Sequence, residues 1–192
     1  MVSFLIPSES ALGETRVAAT PETVKKFLGL GCKVFLEKSA GESAGFLDSS
    51  YSEAGAELVE QGDNEIRKSI DIVLCVQAPN EKFLASLKSG TLIVGLLAPY
   101  GNNSLAELLK SFCLSAISLE LLPRISRAQS SDVLSSQANI AGYKSVLLAA
   151  SALDRYFPML MTAAGTVQPS KVVVLGAGVA GLQAIATAKR LG

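Results

Sequence analysis

The segment Lys171-Val-Val-Val-Leu-Gly176-Ala-Gly178-Val-Ala-Gly181-Leu-Gln-Ala-Ile-Ala-Thr-Ala-Lys-Arg190 joins a β-branched run, three spaced glycines and an alanine-rich stretch. This order predicts a strand over 171–175, a Gly-x-Gly-x-x-Gly turn, and a helix over 179–191. Gly176 permits a tight turn, Gly178 lets the backbone approach a pyrophosphate, and Gly181 lets the helix pack close to the strand. The segment therefore predicts a dinucleotide-binding turn.

The free N–H groups at the start of such a helix attract phosphate oxygens. We therefore expect the whole turn to bind the cofactor, including the intervening residues Ala177, Val179 and Ala180. A glycine-rich turn with a purely structural role is the alternative.

A dinucleotide site of this type also uses an acidic residue about 20 residues beyond the glycines, which binds the ribose hydroxyls. The sequence ends at Gly192, before that position. One strand and one helix cannot bury a core. We therefore expect the chain to be either a truncated product or one piece of a larger assembly.

The composition favours a globular protein without a nucleic-acid partner. The 192 residues include 49% hydrophobic residues, 17 basic and 17 acidic residues, and no basic block. Three scattered cysteines, at 32, 75 and 113, predict buried, reduced thiols and neither a disulfide framework nor a metal site. The N-terminus lacks the pattern of a signal peptide, and apolar runs such as 91–99 are too short to span a bilayer, so we expect no direct membrane insertion.

The sequence contains no histidine. Histidine is the commonest general acid or base near neutral pH. Any proton transfer by this chain must use carboxylate, lysine or tyrosine side chains, or the reaction must need none.

Apolar runs alternate with amphipathic segments along the chain. This alternation predicts an α/β fold with a parallel sheet and right-handed crossovers. We expect a Rossmann-like domain over 1–136, and a linking helix followed by the first β-α unit of a second, dinucleotide-binding Rossmann domain over 137–192. The predicted strands are 3–6, 33–37, 71–76, 91–97, 115–118 and 171–175, and the predicted helices are 21–30, 50–55, 81–87, 103–112, 138–156 and 179–191.

A polar loop, Pro123-Arg124-Ile-Ser-Arg127-Ala-Gln129-Ser-Ser-Asp132-Val-Leu-Ser135-Ser-Gln137, follows the strand predicted at 115–118. It lies at the carboxyl edge of the predicted sheet, where open α/β sheets bind ligands. Arginine and aspartate together can bind a carboxamide through its oxygen and its NH₂ group. A solvated loop whose charges only pair with each other is the alternative.

A lone arginine, Arg16, lies in Glu14-Thr-Arg16-Val-Ala-Ala-Thr20-Pro21, just before the first predicted helix. It either recognises an anion or is an ordinary surface arginine. Thr20 and Pro21 are typical of the start of a helix.

These three segments, with Ala138-Asn-Ile-Ala-Gly-Tyr143, resemble the NAD(H)-binding domain of the proton-translocating nicotinamide nucleotide transhydrogenases, in their alpha subunit. That family shares its fold with alanine dehydrogenase. The resemblance extends over the whole chain. The polar loop is distinctive of the transhydrogenases, whereas the glycine motif is not.

The resemblance implies roles for the polar loop. The residues that match Arg124, Asp132 and Ser135 contact the nicotinamide end of NAD(H) in that family. The residue that matches Gln129 points toward NADP(H) on a separate domain. Gly176, Gly178 and Gly181 match the pyrophosphate turn, and the ribose-binding acid lies beyond Gly192.

The resemblance also implies partners and a location. We expect a homodimer that works with an NADP(H)-binding domain and a membrane subunit. Its place would be peripheral to the membrane, on the cytoplasmic side, or on the matrix side in a mitochondrion.

The sequence departs from alanine dehydrogenase at two positions. That enzyme carries a substrate-binding lysine where Gln77 stands and a catalytic histidine where Leu96 stands. Oxidation of an amino acid needs a group that manages protons, whereas hydride transfer between two nicotinamide rings needs mainly positioning. Three hypotheses remain: a transhydrogenase component, which these departures favour; a non-catalytic split or truncated piece that needs a complementing chain; and an alanine dehydrogenase relative.

Overall fold

The computed structural model describes all residues, Met1–Gly192. The chain folds into two compact units, Met1–Leu122 and Pro123–Gly192, which we call the N-terminal unit and the C-terminal unit. The polar loop, expected within a first domain ending at 136, lies in the C-terminal unit. It does so because it continues directly into the long helix of that unit.

The N-terminal unit contains a six-stranded sheet in which all pairs are parallel, as predicted. The strand order is β3-β2-β1-β4-β5-β6, the doubly wound arrangement that places ligand sites at the carboxyl edge. The sequence pattern does not predict strand β3, because it has only three residues and none of them is buried. The strands are β1 Ser3–Ile6, β2 Lys33–Glu37, β3 Glu57–Val59, β4 Ile72–Gln77, β5 Leu92–Leu96 and β6 Ser115–Ser118.

Five helices connect these strands, and side-chain caps define the start of several of them. The Thr20 hydroxyl accepts a hydrogen bond from the Thr23 backbone N–H at the start of α1, and Pro21 occupies its first turn, as the sequence predicts. The helix ends before Gly31, whose φ of +79° lies in the left-handed region. The helices are α1 Pro21–Gly29, α2 Asp48–Ala54, α3 Asn64–Ser69, α4 Glu81–Ala85 and α5 Asn103–Ser111.

Two hydrophobic clusters form the core of this unit. Successive residues of β1, Leu5 and Ile6, belong to different clusters, because neighbouring side chains of a strand point to opposite faces. Burial on both faces explains why the central strands are apolar throughout. Tyr51 is fully buried and donates its hydroxyl proton to the Ala19 carbonyl, at 2.8 Å.

The C-terminal unit contains two helices and a short antiparallel hairpin: α6 Val133–Ala152, β7 Leu160–Thr162, β8 Gly165–Val167 and α7 Val179–Arg190. Helix α6 begins five residues earlier than predicted, because Asp132 caps it. It ends at Ala152, before the predicted end at 156. The hairpin is an addition to the predicted elements.

The strand predicted over Lys171–Leu175 is absent, which corrects the expected β-α unit. A strand requires a neighbour for its backbone N–H and C=O groups, and no strand of the chain pairs with this segment. Val173 and Leu175 are 83% and 96% exposed. The C-terminal unit therefore contains the glycine turn and its helix but not the preceding strand.

The three cysteines are free, but they are not uniformly buried as expected. Cys75 is buried, Cys32 is half-buried, and Cys113 is exposed.

None of the helices combines the length and the apolar character that crossing a bilayer requires.

Candidate dinucleotide-binding site

Backbone geometry explains two of the three glycines in the turn before α7. Gly176 has a φ of +115°, which residues with a side chain rarely adopt. A Cβ at Gly181 would lie 2.1 Å from the Gly176 carbonyl oxygen, well inside van der Waals contact. The chain can therefore fold back on itself here only with glycine at both positions.

Gly178 differs from the other two glycines. It has an ordinary φ of −78°, and a Cβ there would meet nothing within 4 Å. Gly178 is also the N-cap of α7, and no side chain caps this helix. The N–H groups of the first turn, from Val179 onward, are therefore left for an external acceptor such as a phosphate.

Asp132 and Ser135 form a compact capping pair at the start of α6. Asp132 Oδ1 accepts the backbone N–H of Ser135 at 3.0 Å, and Oδ2 accepts the Ser135 hydroxyl at 2.6 Å. The hydroxyl bond, the backbone bond and the positive charge of Arg124 all lower the pKa of Asp132. Asp132 is therefore ionised at neutral pH and acts as a hydrogen-bond acceptor.

The polar loop and the glycine turn face each other across a cleft of about 390 Å³. Arg124, Leu134, Ser135 and Ala138 line one side of it, and Leu175, Gly176 and Gly178–Gly181 line the other. A second cleft, of about 550 Å³, shares Ser135 and Val179 with the first and is also lined by Gln129, Asp132, Ser136 and Asn139. The structure thus brings the predicted residues of the loop and of the turn together in one unit.

Helix α6 contributes residues that the sequence reasoning missed, among them Ala138 and Asn139. With Ser135 and Gly142 they recur at intervals of three and four residues, which places them on one face of the helix. Asn139 donates a hydrogen bond from Nδ2 to Gln183 Oε1 of α7, at 3.3 Å. This helical spacing is the signal in the sequence that connects the loop to the turn.

Arg16 forms an internal ion pair in the N-terminal unit. Its Nε and Nη2 donate to the two carboxylate oxygens of Glu14, at 2.7 and 2.6 Å. Gln77 Nε2 donates to the same carboxylate, at 2.9 Å. The hydrogen bonds from Arg16 are the main cause of a Glu14 pKa of about 2. This arrangement favours a structural role for Arg16.

Family models match the two parts of the chain in succession. The N-terminal domain model of alanine dehydrogenase/PNT matches residues 5–141, and the C-terminal domain model matches residues 145–192. An NAD(P) transhydrogenase subunit alpha from Rhodospirillum rubrum is 46% identical over the whole chain. The match covers 51% of that relative, so this chain spans about half the length of the curated relatives it matches.

Solved structures of both branches of the family share the fold. The transhydrogenase from Sinorhizobium meliloti matches 99% of the chain with a TM-score of 0.95 and 45% identity, over 56% of its own length. An L-alanine dehydrogenase matches the whole chain with a TM-score of 0.85 and 30% identity, over 53% of its length. The resemblance inferred from the sequence is confirmed, and the chain belongs to the alanine dehydrogenase/PNT family.

Proposed function

We propose that the chain is the NAD(H)-binding component of a proton-translocating transhydrogenase, which transfers hydride between NAD(H) and NADP(H). The observation that carries the proposal is the convergence of the polar loop and the uncapped glycine turn on adjoining clefts of one unit. The similarity to named transhydrogenase subunits over the whole chain supports it.

The donors of the turn fit a pyrophosphate. The N–H groups that follow Gly178 are not capped, and the open space at this glycine lets an anion approach the backbone. The positive end of the α7 dipole adds to the attraction. Gly176–Gly181 would therefore hold the middle of the dinucleotide.

The polar loop fits a carboxamide. Arg124 offers N–H donors to the carboxamide oxygen, and Asp132 keeps lone pairs beyond those used by Ser135 to accept from the NH₂ group. Ser135 fixes the direction of the Asp132 carboxylate. This set would hold the nicotinamide ring in one orientation.

The proposed reaction passes a hydride from C4 of one nicotinamide to C4 of the other, a chemistry that the two cofactors supply. It requires the reacting atoms about 3–3.5 Å apart and no proton transfer at carbon. A chain without histidine, whose site aspartate has a lowered pKa, suits a positioning role.

We also propose the partners that the resemblance implies. Gln129 is an exposed residue of the outer cleft and would face the NADP(H)-binding domain. Exposed apolar side chains around the hairpin, at Met159, Leu160 and Met161, support a homodimer. The membrane subunit would couple the reaction to proton movement and hold this component at the cytoplasmic or matrix face.

A direct test follows the label in the assembled enzyme. NADH with deuterium at the transferable C4 position is mixed with an NADP⁺ analogue, and the reduced acceptor and the solvent are analysed by mass spectrometry. We expect deuterium in the acceptor. Deuterium in water would contradict direct transfer.

The similarity to L-alanine dehydrogenase makes alanine oxidation the second candidate. Three features disfavour it: Arg16 is engaged by Glu14, Gln77 offers no cation, and Leu96 cannot move a proton. Formation of NADH from alanine and NAD⁺ by the assembled enzyme would restore this candidate.

A further inference from the structure

Helices α6 and α7 approach most closely at Gly142. A Cβ at this position would lie 2.2 Å from the carbonyl oxygen of Ala180 and 2.9 Å from its carbonyl carbon. Both atoms belong to backbone, so no side-chain rotation relieves the overlap. Gly142 has no positive φ, so close packing and not backbone conformation requires glycine here.

A hydrogen-bonded chain joins the same two helices one turn earlier on α6. Asn139 donates to Gln183 Oε1, and Gln183 Nε2 donates to the Thr187 hydroxyl at 3.2 Å. Thr187 is buried and donates its proton to the Gln183 carbonyl at 2.8 Å. These bonds fix the rotation of α7 about its axis, while Gly142 fixes its distance from α6.

The contact at Ala180 lies within the first turn of α7, next to Val179 and Gly181. We propose that Gly142 is a positioning residue for the pyrophosphate turn: its missing side chain sets the place of the α7 N-terminus opposite the polar loop. This inference rests on the proposed function, because it assigns the turn to NAD(H).

The size of the effect follows from the geometry. To accept a Cβ at ordinary van der Waals separation, the Ala180 carbonyl must move by roughly 1 Å, and the N–H donors of the same turn move with it. Misplacement of about 1 Å in a site can cost about 100-fold in rate. We expect Gly142→Ala to weaken NADH binding by about tenfold or more.

The experiment uses the full-length protein and measures dissociation constants by isothermal titration. Gly142→Ala should weaken NADH and ADP-ribose, which carry a pyrophosphate, and leave adenosine within about twofold of the parent. Gly101→Ala is the matched control, since a Cβ at Gly101 meets nothing within 4 Å. It should bind all three ligands as the parent does.

Asn139→Ala is a milder second variant that loosens α7 without adding volume, and it decides the matter if Gly142→Ala does not fold. It should weaken NADH by about threefold and leave adenosine unchanged.

Unchanged NADH binding in the folded variants, or an equal loss for adenosine, would overturn the positioning role. If the parent itself does not bind NADH, the proposed function fails and this inference fails with it.

Discussion

The two units treat the donors near their glycine-rich and strand-end segments in opposite ways. In the N-terminal unit, Glu9 accepts the backbone N–H groups of Val76 and Gln77 at 2.5 and 3.1 Å, at the carboxyl end of β4. Glu120 accepts those of Leu97 and Ala98 at 3.1 and 2.7 Å, just after β5. The chain's own carboxylates thus occupy the edge where an anionic ligand would otherwise bind.

In the C-terminal unit the corresponding donors are left without a cap. The N-cap of α7 is a glycine, and a cleft of about 390 Å³ lies in front of it. A shared α/β architecture therefore does not decide where a ligand binds. Binding is expected where the chain withholds an acceptor from its own N–H groups.

The strongest challenge to this contrast is a substitution that fills the open position. Gly178→Ala adds a methyl group that contacts nothing in the chain, so unfolding free energy should change by about 0.5 kcal/mol or less. NADH affinity of the full-length protein should nevertheless fall by about 100-fold, because the methyl group would meet the pyrophosphate. Thermal melting and titration together check this.

Gly181→Ala serves as the matched comparison, since its Cβ would overlap the Gly176 carbonyl. It should lose both stability and binding. Retained NADH affinity in Gly178→Ala would remove the turn from the proposed site.

A somewhat smaller effect is expected in the polar loop. Asp132→Asn keeps an oxygen that can cap α6, so the melting temperature should change little, whereas NADH affinity should fall by about tenfold. Arg124→Ala should behave alike. Arg127→Ala, an exposed arginine of the same loop that lines neither cleft, is the control.

Melting far below the parent, combined with intact activity per folded molecule, would show that Asp132 or Arg124 serves the fold and not the site.

The N-terminal unit should respond to acid and not to NADH. The Glu14 pKa of about 2 lies below its ordinary 4.5, so its contribution to stability is present above pH 4.5 and is lost as the pH falls toward 2. Glu14→Gln should flatten this part of the melting profile and leave NADH affinity unchanged.

Glu9 makes the comparison of the two profiles necessary, because burial raises its pKa and its effect has the opposite sign. Identical profiles for the parent and Glu14→Gln between pH 2 and 4.5 would argue against the ion pair with Arg16.

The smallest effect on NADH binding is expected for Gln129→Ala, which should stay within about twofold of the parent. Its exposed position in the outer cleft predicts weaker docking of the NADP(H)-bearing domain instead. Titration of that domain against the NADH-loaded protein measures this. Normal docking would leave Gln129 without a role at the interface.

Much of the N-terminal unit followed from sequence pattern. Strands β1, β2 and β6 have the predicted bounds, because apolar runs between turn residues specify them locally. The strand at 171–175 failed for the converse reason. Its β-branched residues favour extension, but pairing is not a local property.

The candidate site was predictable in its components and not in its assembly. The glycine spacing and the charged loop could be recognised, and the structure places them on facing sides of a cleft. Asn139 and Gly142 could not be identified from the sequence, because their importance lies in the distance between two helices. The self-occupied donors of Glu9 and Glu120 depend likewise on contacts between distant residues.

Helix α6 carries Ser135 beside the polar loop and Gly142 beside the pyrophosphate turn. At about 1.5 Å per residue, the separation of these two contacts along the helix axis is about 10 Å, fixed by the rise of a continuous helix. A residue inserted or deleted between them would also rotate one contact by about 100° relative to the other. Changes in length should therefore be tolerated in the surface loops of relatives and excluded from this interval.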